Sequence, residues 1–261
     1  MGKPASSCIF CGGTGLTKEH IWPDWMRGYI PRANHSKVGH HEIVRFPDPF
    51  ITSNPQRSKG SLARPGDTAS KRLRCVCGTC NNGWMSHLQT VNKPLLTSLL
   101  EGKWPANAFT TSAIEHLAAW ITMFSIVVEY ADPDTAMVSE AERRRFFKTK
   151  LPDNHWRLYL GRGLLIHNQR SFWHRAVAFG PQRSIVKKTK GAITIAAFGQ
   201  LFFMSLYTET ETQFEPAPWL DLRTIWPAPP ALTAPHFELN DYGYEQVMHS
   251  TMELLNEANA R

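Results

Sequence analysis

Cysteine is scarce in this chain of 261 residues and stops early: all five, Cys8, Cys11, Cys75, Cys77 and Cys80, lie in the first third. The N-terminus carries no apolar signal core, so the expectation is an intracellular, cytoplasmic chain in which thiols stay reduced and a disulfide framework is disfavoured. The longest apolar run, Leu117 to Val128, is broken by Thr122 and Ser125 and falls short of the roughly 18 residues a membrane span needs. It reads as a buried helix, with no membrane partner. No internal repeat and no low-complexity tract is found, which excludes a solenoid and a disordered linker protein. What remains, at 42% apolar and 20% charged residues, is the composition of a folded chain with one sizeable core or two modest ones.

Charge is unevenly spread. Residues 27–74 hold ten bases (Arg27, Arg32, Lys37, Arg45, Arg57, Lys59, Arg64, Lys71, Arg72, Arg74) against three acids (Glu42, Asp48, Asp67). The remaining nineteen bases and nineteen acids cancel, so the whole excess of +7 belongs to this one segment. A polyanion is the natural partner of such a patch, and a solvated loop is the bland alternative.

Hydrophobic spacing divides the chain. Cys8 to Gly13 reads as a metal knuckle, followed by a short strand toward His20, and Pro23 opens a short helix carrying Trp25 and Met26. From Tyr29 to Ser70 periodicity is weak; this is an insertion, with a small hairpin expected at 40–46. Trp84, Met85, Leu88, Val91, Leu95, Leu96, Leu99 and Leu100 have helical spacing. That predicts a helix from about 80 with a bend near Pro94, because proline has no N–H to donate. A buried helix is expected over 109–130 and a shorter basic one over 138–148. After Pro152, "WRLYL", "GLLIH", "SFWHRAVAF", "AITIAAF" and "LFFMSLY" form a meander of strands. A Pro-rich stretch, 215–235, leads to a closing helix at about 241–258, where Tyr244, Val247, Met248, Met252 and Leu255 share a face. The expected class is α+β: an N-terminal module over 1–104 with a basic insertion at about 27–74, a helical connector over 105–150, and a β-rich region with a closing helix over 151–261.

The chemistry concentrates at the two ends of the insertion. Cys8-x2-Cys11 and Cys77-x2-Cys80 are two chelating arms, and four thiolates close a tetrahedral zinc site with no open position, so its role is structural. Cys75 leaves open which upstream thiol binds; Cys77 is preferred because its spacing to Cys80 repeats the first arm. Between the arms, Glu19 and His20 form a carboxylate–imidazole dipeptide at a strand end. Asn81 follows the last cysteine, where its amide oxygen can join a carboxylate on a hard cation.

The order Cys8, Cys11, Glu19, His20, Ile21, Pro23, Cys77, Cys80, Asn81 resembles the HNH, or ββα-metal, endonucleases in their zinc-stapled form. The resemblance covers about 45 residues flanking the insertion and does not reach 105–261. It implies a ββα-metal module, a Mg²⁺ ion (with Mn²⁺ as substitute) held by Glu19 and Asn81, and His20 as general base. The implied reaction is hydrolysis of DNA, duplex in the first instance, to 5′-phosphate and 3′-hydroxyl ends, with Arg57, Lys59, Arg64, Lys71, Arg72 and Arg74 as backbone contacts. The chain departs from the pattern in three ways. Glu19 stands where aspartate is more usual, 56 residues separate His20 from Cys77, and the third position is Asn81 or Asn82, with His87 too far along the helix. The competing class is a non-catalytic zinc-knuckle nucleic-acid-binding protein; a redox protein using the Cys-x-x-Cys pairs is a third. Oligomeric state is open, a homodimer included.

Overall fold

The computed structural model describes residues 5–29, 42–45, 56–60, 62, 70–163, 170–179, 189–210, 221–227 and the isolated positions 229, 232, 235, 240, 242, 245 and 246. The fold is α+β, a set of helices with antiparallel sheets. β1 (Leu16–His20) pairs antiparallel with a strand more than fifty residues later. Inside the insertion, β2 (Glu42–Arg45) pairs with β3 (Gln56–Lys59). The hairpin expected within 40–46 is therefore one arm of a wider hairpin, its partner strand being the basic segment "QRSK". β4 (Arg72–Cys77) returns beside β1 and runs straight into a single α-turn, α1 (Gly78–Cys80).

The helix after it is interrupted one turn in. Asn81–Met85 is wound more widely, as a π-type turn in which the Ser86 N–H reaches the Asn81 carbonyl, and Gly83 takes a non-helical ψ of −110°. α2 (Ser86–Leu100) then runs with Pro94 inside it, so the break lies at Gly83 rather than at the proline. π-type turns concentrate at functional sites.

α3 (Thr111–Glu129) is the central helix, opened by Thr110, whose hydroxyl accepts from the Ala113 N–H. By length and composition alone it would suffice to cross a membrane, but it has helices and sheet packed around it and 14 of its 19 residues are buried. A helix buried all round is apolar all round. α4 (Glu140–Thr149) is capped by Ser139 and ends in Lys150, which adopts a left-handed φ of 58°.

The remaining strands, β5 (Trp156–Arg162), β6 (Arg170–Phe179), β7 (Thr189–Phe198), β8 (Leu201–Thr208) and β9 (Arg223–Trp226), form one antiparallel sheet in the order β6-β7-β8-β5-β9. Four of the five runs read as a meander are strands of this sheet, and the fifth, "GLLIH", lies past Gly163 outside the described residues. β9 was not legible, because it sits in the stretch read as Pro-rich connection. The closing helix expected at 241–258 lies outside the described residues, apart from isolated positions.

The two faces of the sheet are both buried. Ile193, Ile195 and Ala197 stand opposite Leu206, Met204 and Phe202 on the face turned from α3. The other face presents Leu158, Leu160, Phe198, Leu201 and Phe203 to the helices. One continuous core joins Cys8 and Phe10, the β1–β4 pair, α2, α3, α4 and this sheet face. It crosses both boundaries expected near 105 and 150. Trp22 is its keystone, with ring centroids 4.7 Å from Phe124, 4.8 Å from Phe198 and 6.5 Å from Phe203. Truncating so buried a tryptophan costs about 3–5 kcal/mol.

Polar groups interrupt this core where α3 meets the sheet. Ser125 Oγ lies 2.6 Å from Ser205 Oγ, His174 Nδ1 2.9 Å from Thr194 Oγ1, and His174 Nε2 3.7 Å from Glu129 Oε1. Glu129 also accepts from the backbone N–H groups of Met137 and Val138, at 3.1 and 3.3 Å. Burial pushes its carboxyl from 4.5 up to about 7, against the pull of those two donors and of Arg143. Burial lowers the His174 imidazole to about 4. The folded state therefore holds the Glu129 proton more tightly than the unfolded chain does. Stability from this group is full below about pH 4.5 and is lost as pH rises through about 7. A Glu129→Gln protein should gain on the parent across that window in urea unfolding. Parallel pH profiles would mean that Glu129 is ionised in the fold, paired with a protonated His174.

Candidate metal centre and adjoining cleft

The first arm is a tight knuckle. The Cys8 N–H donates to the Gly13 carbonyl and the Gly12 N–H to the Cys8 carbonyl, both at 2.8 Å, while the Gly13 N–H points at Cys11 Sγ, 3.3 Å away. The glycines are required here. A Cβ on Gly13 would sit 3.2 Å from Cys11 Sγ and 3.9 Å from Cys77 Sγ; Gly12, at φ +73°, leaves the space that the Arg144 guanidinium fills. The second arm begins where β4 ends: Cys77 caps α1, its sulfur accepting from the Cys80 N–H at 3.5 Å. Pairing of Leu16 with Cys77 brings the arms face to face.

The sulfurs of Cys8, Cys11, Cys77 and Cys80 all lie within 4.8 Å of one another. A tetrahedral zinc ion with Zn–S bonds of about 2.3 Å needs sulfurs about 3.8 Å apart, so this group could hold such an ion. Cys75 is outside it. Its sulfur is buried in the core, its carbonyl accepts from the Ile9 N–H at 3.0 Å, and burial drives its thiol far up. Period-two alternation along β4 puts Cys75 and Cys77 on one face, but only the strand's last residue reaches the knuckle.

The electrostatics of the thiols are divided. At Cys8 burial pushes the pKa up, but donors from the Cys11, Cys77 and Phe10 backbone outweigh it and bring the thiol down from 9.0 to about 7. Burial raises Cys11 and Cys80 instead; the Cys8 sulfur adds to the effect at both, while the Gly13 N–H and the Cys80 sulfur pull Cys11 the other way. The buried Trp84 Nε1 has no partner at normal hydrogen-bond geometry, yet it lies close enough to the Cys80 sulfur to favour the thiolate. A donor left over beside a sulfur suits a metal-bound thiolate, which accepts more strongly than a thiol.

The second feature is a small, half-open cleft beside the end of β1. Glu19, His20 and Gln89 line it against an apolar wall of Trp120, Met123, Phe124 and Val127. A bulge between Thr17 and Glu19 breaks the register of β1, leaving Lys18 exposed and Glu19 only 6% exposed. Bulges re-aim side chains in this way. Gln89 Nε2 donates to Glu19 Oε1 at 3.4 Å, and Asn81 Nδ2 to Thr17 Oγ1 at 3.1 Å. Burial raises the Glu19 carboxyl to about 7; Gln89 and Asn81 pull it the other way. His20 Nδ1 faces Asp24 Oδ1 at 3.9 Å, and Asp24 is held by Arg27 at 3.0 Å.

Glu19 and His20 thus share the cleft, and Asn81 lies beside Glu19 without lining it, whereas Asn82 and His87 are exposed on the helix. Arg72 and Arg74 lie on the exposed face of β4, the Arg74 Nε donating to the Leu16 carbonyl at 3.0 Å. Arg57 and Lys59 are exposed on β3, Lys71 is half-buried, and Arg64 lies outside the described residues. Sequence reasoning missed Gln89, Thr17 and Asp24. Asn81, Met85 and Gln89 recur at helical spacing on one face, which was the available signal for Gln89.

No family model, curated protein or solved structure matches the chain.

Purified protein should carry about one zinc per chain by elemental analysis, since a structural site contributes its binding energy to folding. Cys8→Ser or Cys80→Ser should lose the metal, and Cys75→Ala should retain it. Metal-free native protein, or metal lost with Cys75, would overturn the assignment.

Proposed function

We propose that the chain is a metal-dependent endonuclease of the HNH, or ββα-metal, type, hydrolysing DNA phosphodiester bonds. The observation that supports this reading is that Glu19, at the end of β1, shares a cleft with His20 and has Asn81, directly after the last cysteine, on its other flank. Strand, strand and helix in that order, stapled by four cysteines, is the arrangement the family resemblance implies.

The donors suit a second, hard cation. A carboxylate with carboxamide groups beside it is an oxygen set of the kind Mg²⁺ or Mn²⁺ takes, and among the described residues Glu19 is bonded by amides rather than by a lysine or arginine. Glu19 and Asn81 would hold that ion, which would supply Lewis acidity to the phosphate and its leaving 3′ oxygen. His20 takes the proton from the attacking water, and Asp24 beside Nδ1 compensates the charge that results. The bases on β3 and β4, with Lys71 and Arg64, track the DNA backbone.

The alternative, a non-catalytic zinc-knuckle nucleic-acid-binding protein, has one observation in its favour: Glu19 is as buried as a purely structural, hydrogen-bonded acid. Nicking of supercoiled plasmid in Mg²⁺ separates the two. His20→Ala should keep zinc and DNA affinity while lowering cleavage by roughly two or more orders of magnitude. Glu19→Ala and Asn81→Ala should weaken the response to added Mg²⁺ or Mn²⁺. Three variants that cut like the parent would sink the nuclease reading.

Binding is tested separately, in Ca²⁺. Each base that neutralises a phosphate steepens the fall of log affinity with log salt by about 0.9 on duplex DNA. Arg72→Gln with Arg74→Gln, and Arg57→Gln with Lys59→Gln, should each flatten that slope. Unchanged slopes in both would remove these residues from the interface.

A further inference from the structure

A zinc ion on four thiolates carries a net charge of −2, and a site wrapped in side chains of low polarity must balance it locally. The neighbours of the cluster come from α4. Arg144 donates from Nη1 to the Phe10 carbonyl at 3.2 Å and fills the space over Gly12, but its charge is already shared with the Glu140 carboxylate, 3.0 Å from Nη2. Lys150 is different. Its Nζ lies 4.7 Å from the centroid of Trp84 and 4.1 Å from that of Phe147. No carboxylate pairs with it among the described residues, and the indole it covers follows Cys80 by one helical turn and packs edge-on against Phe10 of the first arm.

The backbone makes the choice of lysine stranger still. At φ 58°, after the last turn of a helix, glycine or asparagine is the residue without penalty. A lysine here is half-buried, which disfavours its charge, and sits in a conformation that disfavours its Cβ. Capping the helix C-terminus with a cation explains part of this, but an exposed lysine would serve that purpose as well.

We propose that the Lys150 ammonium, held over Trp84, compensates the charge of the metal-loaded cysteine cluster and sets how firmly the cation is kept. Trp84 couples the two: its face takes the ammonium and its indole N–H approaches the Cys80 sulfur. The proposal rests on the zinc reading alone and is independent of any nuclease activity.

The test uses the zinc-loaded full-length protein and measures the rate at which zinc passes to a chromophoric chelator at fixed pH and ionic strength, with thermal unfolding followed in parallel. Lys150→Met keeps the apolar stem and removes the charge; Lys150→Gly removes the charge and relieves the left-handed backbone. Both should release zinc about tenfold faster, well below what a unit charge in direct contact would supply in a protein of moderate polarity. Lys150→Arg should restore most of the parental rate, and Lys148→Met, on the exposed side of α4, should match the parent. Parental release rates in the Met and Gly variants, whatever their melting temperatures, would overturn the proposal. So would an equal acceleration in Lys148→Met, which would trace the effect to net charge. A parent that binds no zinc would instead defeat the metal reading.

Discussion

The constraint on which the rest depends is the closure of the chain between its first arm and its second. Cys11 and Cys77 stand 66 positions apart in sequence with their sulfurs 3.5 Å from each other. Loop-closure entropy grows only slowly with length, so a metal clip across so long a loop adds little more entropic penalty than one across a short loop. What it fixes is large in proportion. Two strands of five and six residues joined through the long insertion would be marginal as a free pair. With Leu16 held opposite Cys77, the pairing of Thr17 with Val76, Glu19 with Leu73 and His20 with Arg72 follows, bulge included.

The clip is itself built into the core. Arg143 and Arg144 donate from α4 to the carbonyls of Ile9 and Phe10, at 3.1 and 3.2 Å, satisfying knuckle groups that the strands do not reach. Phe10 stands edge-on to Trp84 at 5.0 Å and packs against Phe146 at 6.3 Å. Six residues past the start of β1, Trp22 is locked between α3 and the sheet. Glu19 and His20 therefore lie on a short tether between two anchors, the sulfur cluster before them and the tryptophan after. Groups that act on a ligand need such support, because an error of one ångström is enough to disable them.

The elements legible in the sequence were those where a local signal and the tertiary context agree. The arms and their ligands were readable because Cys-x2-Cys spacing is a covalent constraint, and the preference for Cys77 over Cys75 rested on that same repeat. The buried helix and the meander were readable from apolar periodicity. The register of β1 was not: Thr17 and Glu19 are separated by a bulge that no residue type marks. Gln89 was not singled out, because a lone glutamine on a helix has no chemistry of its own; its role shows only in its bond to Glu19. β9 was hidden because four residues amid prolines have no periodicity to show, and they pair only because β5 offers an edge. The tight coupling of α4 to the knuckle was equally invisible, since arginines that bond to carbonyls far away in sequence look like any basic helix.

Three carboxylates among the described residues are deeply buried, and comparing them says most about the cleft. Glu142 is held by two bonds of 2.7 Å from Arg145 and one of 2.9 Å from the Trp156 indole. Glu129 has two backbone donors with Arg143 and His174 nearby. Both are finished structural sites, in which the acid closes a helix or ties two elements together. Among the described residues Glu19 is bonded only by carboxamides, one of them at 3.4 Å, and it lines a cleft. Burial with no countercharge among the described residues keeps such an acid protonated near neutral pH unless a cation arrives, and a cation arriving there would meet a carboxylate at the end of a clamped strand, beside carboxamides that now turn their N–H groups toward it. That asymmetry among the three carboxylates, more than the sequence motif alone, favours a working site over a binding knuckle.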